Sequence, residues 1–125
     1  YADFKCADFD DPDYQDMAKR YLAMSDNEFM EDDAVAGYGI VTMVAQAIEA
    51  VGDDPVAISE WIHGESFDLP GYAFPMSYTE WGEMAEAAPI FYLLGEGPAP
   101  EGVNDAGTWY PELLSRSEPL TPFEP

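Results

Sequence analysis

The sequence predicts an α/β protein whose sheet is completed by strands outside its own residues. Three observations lead there. Helix-start signals, an aspartate or acidic cluster, twice followed by proline, open three stretches between residues 11 and 64. Only two later stretches, 67–78 and 89–94, read as strand. Two strands are marginal as an independent sheet, and three helices need more strand than that to cover.

Residues 1 to 10 read as an extended entry, with Tyr1, Phe4, Cys6 and Phe9 interleaved with Asp3, Lys5 and Asp8. Asp11-Pro12 starts a helix: Asp11 accepts the unpaired first N–H groups, and Pro12 at the first position loses only a donor without a helical partner. Tyr14, Met17, Ala18, Tyr21 and Leu22 recur every three or four residues as one apolar stripe, and Ser25-Asp26-Asn27 ends the helix. Glu31, Asp32 and Asp33 place negative charge where the next helix dipole favours it. This second helix runs from about Asp33 to Val51, roughly 27 Å. It is apolar or small on every side, which predicts burial all round, and Ala36, Gly37 and Gly39 permit close approach of another backbone. Gly52 stops it. Asp54-Pro55 opens a short third helix with Ile58, Trp61 and Ile62 on its inner stripe and Gly64 at its end.

In Phe67 to Tyr78, the residues Tyr72, Phe74, Met76 and Tyr78 alternate with Ala73, Pro75 and Ser77, which predicts a strand that Pro75 confines to an edge or bulge. Thr79 to Glu83 reads as a turn, and Pro89 to Leu94 as a strand buried on both faces. After Gly95 the glycines and prolines, among them Pro98, Gly107, Pro119, Pro122 and Pro125, predict an irregular tail, with Trp109, Tyr110, Leu113 and Leu114 in one docked helical turn. The organisation is thus residues 1–94 as one unit (1–10 entry, 11–64 helices, 67–94 hairpin and return strand) and 95–125 as a Gly/Pro-rich tail.

Composition narrows the function. The chain carries 26 acidic residues against 4 basic ones, a formal net charge of −22. Such a surface repels phosphate backbones and anionic lipid, so nucleic acid is excluded as a partner. With 47% hydrophobic and 14% aromatic residues it is no disordered acidic tail. The charge suits a salt-rich setting, where screening is strong; an ordinary acidic secreted protein is the plainer alternative. A single cysteine, Cys6, allows no internal disulfide and reads as a small buried hydrophobe. There is no uninterrupted run of 18 apolar residues and no basic leader at the start, and the abrupt beginning at Tyr1 suggests a piece of a longer protein.

Catalytic and metal patterns are weak. His63, the only histidine, stands in a helix's last turn, where a cation complements the dipole, and nothing pairs it with Cys6 as base and nucleophile. Asp8, Asp10, Asp11 and Asp13 fail the calcium-loop pattern, since its glycine position holds Asp13 and its glutamate position Lys19; they read as solvated acidic surface. No phosphate loop, zinc spacing or nucleophile elbow is present, so no cofactor, metal or enzymatic activity is expected. Trp61 and Trp81 read as packing residues.

The ordered series Asp11-Pro12-Asp13-Tyr14, Tyr38-Gly39-Ile40-Val41, Ala47-Ile48-Glu49-Ala50-Val51-Gly52, Gly71-Tyr72-Ala73-Phe74-Pro75, Trp81-Gly82-Glu83 and Pro89 to Leu94 resembles the C-terminal third of type I periplasmic solute-binding proteins of the branched-chain amino acid transporter family. It covers roughly residues 1 to 94; Gly39, where the family often has an acidic residue, and the long tail depart from it. The resemblance implies two α/β lobes with helices on a mostly parallel sheet, residues 1–10 crossing between them, and a small polar solute held in the cleft. It also implies an extracytoplasmic subunit whose partners are the N-terminal remainder of the same protein and a membrane permease of the ABC type. A ligand-sensing domain of the same fold and a self-contained acidic interaction domain are the alternatives. The expected ligand-side residues are Asp33, Ala34 and Tyr38 near the start of the second helix; capping by Asp32 or Asp33 and core packing by Tyr38 are their structural alternatives.

Overall fold

The structure, a computed structural model, describes residues 2–97, 99–104, 109–120 and 122, with only the backbone described for 2–5 and Trp109. Tyr1, Pro98, Gly107 and Pro125, named above, lie outside the described residues. The elements are β1 (Ala2–Lys5), α1 (Pro12–Met24), α2 (Asp32–Val51), α3 (Pro55–Gly64), β2 (Ser77–Tyr78), β3 (Met84–Ala85), β4 (Ile90–Glu96) and β5 (Trp109–Arg116).

The helices begin where the local chemistry dictates. Asp11 accepts from the N–H groups of Asp13 and Tyr14, and Asp54 from those of Val56 and Ala57, each just ahead of a first-turn proline. At the end of α2, the Gly52 N–H donates to the Ile48 carbonyl with φ at 83°, a conformation only glycine adopts without strain.

Helix and strand mix as the sequence predicts, but the sheet is not the mostly parallel one expected. β1, β4 and β5 form a three-stranded antiparallel sheet in that spatial order, and β2 and β3 a small antiparallel hairpin. Lys5 pairs with Ile90 and Ala2 with Leu93, so the return strand runs back along the entry segment. Parallel pairing needs a crossover between two strands of one sheet. Here the segment between β1 and β4 ends in a hairpin that turns the chain round, and β4 meets β1 head to tail.

Three further expectations need correction. The 67–78 stretch is not a strand: Phe67 and Met76 exchange backbone hydrogen bonds at 2.8 Å each, and only Ser77 and Tyr78 continue as β2. Pro70, Gly71 and Pro75 break the ladder, and Gly71, at φ 77°, holds a backbone that side-chain-bearing residues rarely adopt, with Met17 and Tyr14 close against it. The 109–116 stretch is a strand and not a helical turn. Tyr110 and Leu113 both pack on the same core from three positions apart, a spacing that mimics a helix. Beyond Leu113 the strand carries a bulge, since Phe91 faces Ser115 and Tyr92 faces Leu113, leaving Leu114 without a counterpart. Third, β4 is buried on one face only: Ile90 and Tyr92 are inside, whereas Phe91 and Leu94 are 39% and 50% exposed. An antiparallel sheet covered on one side has this alternation.

Two cores result. The first joins Ala7, Phe9, Tyr14, Met17, Ala18, Met30, Val35, Ile90, Tyr92 and Val103, linking the entry segment, α1, the start of α2 and the three-stranded sheet. The second holds Met43, Phe67, Leu69, Phe74 and Met76 beneath the middle of α2, with Trp61 and Ile62 of α3 packed against it. Cys6 is half-buried against this second core rather than fully enclosed. α2 is long and apolar enough, by length and composition, to cross a membrane. It is also not buried all round: Val35, Gly39, Met43 and Ala47 form one inner stripe, while Ile40, Val41, Ile48 and Val51 are exposed.

Candidate functional site

The start of α2 is the meeting point of the entry segment and the helical layer, and cavities open on two sides of it. Glu31 takes the N-cap position without a side-chain cap bond, and Asp32 and Asp33 stand in the first turn, where the helix dipole favours them. Asp32 also reaches back across the fold, and its Oδ1 accepts from the Ala7 N–H at 2.9 Å. This bond ties the end of the entry segment to the helix start.

Of the three residues the sequence singles out, two come together. Ala34 and Tyr38 line a largely apolar cavity of about 300 Å³ between α1 and α2, with Met17, Tyr21 and Met30, and with Arg20 at the edge. Tyr38 is 42% exposed, so it lines this opening instead of packing in a core. Asp33 is exposed and lines neither cavity at the helix start. The second cavity, about 220 Å³, lies on the other side of α2. It is bounded by Cys6, Ala7, Asp32, Val35 and Ile40 and closed by Tyr72, Met76, Tyr78 and Met84 from the 72–84 segment.

Gly39 explains the shape of this second cavity. A Cβ at that position would lie 2.7 Å from the Tyr72 ring, so only glycine lets the ring come this close to α2. The sequence flagged Gly39 as a site of close approach, but nothing in it names Tyr72 as the partner. Burial raises the Tyr72 phenol above its ordinary value, aided by the nearby Cys6 and Tyr78.

Below the helix start lies a polar network that the sequence does not reveal. Asp8, read there as solvated surface, is 9% exposed. Its Oδ1 accepts from the Tyr92 hydroxyl at 3.1 Å and from the Asp10 N–H at 3.1 Å, and its Oδ2 takes a 2.6 Å bond from Arg116. Tyr92 in turn accepts from the Phe9 N–H at 3.0 Å, and the Tyr110 hydroxyl donates to the Phe9 carbonyl at 2.6 Å. Tyr14 donates to the Met30 carbonyl at 2.8 Å. Burial pushes the phenols of Tyr14, Tyr92 and Tyr110 well above the ordinary tyrosine range. Desolvation and the neighbouring Asp8 raise the Asp10 carboxyl, while Arg116 opposes that rise. The hydrogen bond to Asp8 is the main influence raising Arg116.

His63 sits away from this network: its Nδ1 lies 2.8 Å from the Ser59 carbonyl one turn back in α3, and its ring faces Tyr78 at 6.2 Å. Among the described residues no group of three or more His, Cys, Asp or Glu side chains is placed to hold a metal ion. A scan against protein-family models finds no match, and neither curated proteins nor solved structures give one.

Proposed function

We propose that this chain is the closing portion of a substrate-binding component of an ABC importer, a two-lobe receptor that captures a small polar solute, an amino acid or small organic acid, outside the cytoplasm. The reading rests on the sequence resemblance. One structural observation carries it beyond that: a 20-residue apolar helix whose inner stripe is covered and whose outer residues Ile40, Val41, Ile48 and Val51 are not. An apolar face of this kind is what a helix presents when further parts of the same protein pack over it. The N-terminal remainder is the natural cover, and the permease the natural recipient of the solute. In this reading β1 is a crossing between lobes, and Ala34 and Tyr38 border the cleft.

The test uses the intact protein that contains this chain. Mass spectrometry of molecules released on heating is expected to find an amino acid or organic acid, and the same compound raises the unfolding temperature of the stripped protein. The absence of both overturns the reading.

The internal strand pairing favours a second reading, a self-contained acidic interaction domain. It predicts one cooperative unfolding transition for the 125-residue chain alone and no solute.

A further inference from the structure

We propose that the cavity between Cys6, the start of α2 and the 72–84 segment binds a small alkylammonium ligand, with Asp32 as its counter-ion and Tyr72 and Tyr78 as aromatic walls. This site rests on its own geometry and stands whether or not the chain belongs to an importer.

Asp32 is the one charged side chain among the described residues lining this cavity. The Ala7 N–H fixes its orientation at 2.9 Å. That bond takes one position of a carboxylate that offers about four lone-pair sites. An anionic ligand is repelled here, since Glu31 and Asp33 flank Asp32 and outweigh the half-unit of positive charge at a helix start. A neutral apolar ligand fills the space but strips water from the carboxylate without replacing it. An ammonium on a short apolar chain meets both needs. Its head reaches Asp32 and the tyrosine rings that line the cavity, and aromatic rings attract cations through their quadrupoles. Its tail lies against Val35, Ile40, Met76 and Met84. The raised Tyr72 phenol agrees with a water-poor wall. At about 220 Å³ the cavity suits a small molecule. At roughly 30 Å³ per water-sized unit, that is room for about seven heavy atoms, enough for n-pentylammonium.

Cys6 is the sole cysteine of the chain and lines this cavity, so its alkylation reports occupancy. The experiment follows the rate of Cys6 modification in 1 M NaCl, which shortens the reach of the overall charge to about 3 Å. It compares n-pentylammonium, n-pentanol and valerate as protectants. n-Pentylammonium is expected to protect saturably at about tenfold lower concentration than n-pentanol, the effect of one charge-assisted contact, and valerate not at all. Asp32→Asn keeps an oxygen for the Ala7 N–H and is expected to abolish the preference for the amine; Tyr72→Leu is expected to weaken protection by the amine. Equal protection by n-pentanol, an undiminished preference in Asp32→Asn, or no protection by any of the three overturns the proposal. The wild-type comparison decides the matter by itself if either variant does not fold.

Discussion

The interior around Phe9 carries polar groups inward and satisfies them, whereas the buried members of the interior around Phe67 are purely apolar. Phe9 is ringed by Tyr14, Tyr92 and Tyr110 at centroid distances of 4.8, 4.9 and 6.4 Å, each edge-on to it. Each of those hydroxyls ends on a named partner. Met43, Phe67, Leu69, Phe74 and Met76 instead fill space, with Trp61 edge-on to Phe67 at 5.5 Å. A hydroxyl in a dry interior fixes one arrangement, because any other leaves it unpaired. Methionine adapts to several. The first core therefore sets the path of the chain, and the second supplies burial.

The largest expected effect separates size from bonding in the first core. Tyr14→Ala removes a fully buried ring and leaves the Met30 carbonyl without its donor. It is expected to cost about 4 kcal/mol in urea denaturation.

Alkaline pH strikes the same core without mutation. The three phenols have folded-state values raised above those in the unfolded chain, so the stability they contribute is complete below about pH 10 and is lost as pH rises beyond it. The unfolding temperature should therefore fall steeply above pH 10. Absorbance at the phenolate band should show these three tyrosines ionising only as the chain unfolds; early ionisation would mean that the hydroxyls are not enclosed.

Tyr92→Phe keeps the ring and deletes the hydroxyl that joins the Phe9 N–H to Asp8, at an expected cost of about 2 kcal/mol. Met43→Leu in the second core, equally conservative in volume, is expected to cost under about 1.5 kcal/mol. A larger loss for Met43→Leu than for Tyr92→Phe in the same denaturation series would erase the distinction between the two cores.

What the sequence discloses follows the same division. Helix starts are local chemistry, and Asp11-Pro12 and Asp54-Pro55 can be read without knowing anything else in the chain. Strand partners are not local. Gly71 and two prolines undid an alternation that looked like a strand, and β5 hid behind a helix-like spacing of Tyr110 and Leu113. Ala34 and Tyr38 were singled out by the resemblance and not by any pattern of the residues themselves; the structure shows that they share one cavity on one side of α2. Asp33 was not separable from Asp32 by sequence, because which of two adjacent carboxylates turns inward depends on Ala7, 25 positions away. Asp8 looked like surface because its neighbours are acidic, and its burial depends on Arg116, one of only four basic residues.

That pairing spans 108 positions. A ribosome adding about 5–20 residues per second needs on the order of 5–20 s to deliver the guanidinium after the carboxylate. Throughout that interval the nascent helices must wait with the aromatic cluster unclasped, because Tyr92, Tyr110 and Arg116 all follow α3 in the chain. Assembly of this chain is accordingly completed only with β5, and a truncation that spares every helix but removes β5 would still strip Asp8 of Arg116 and the Phe9 carbonyl of Tyr110.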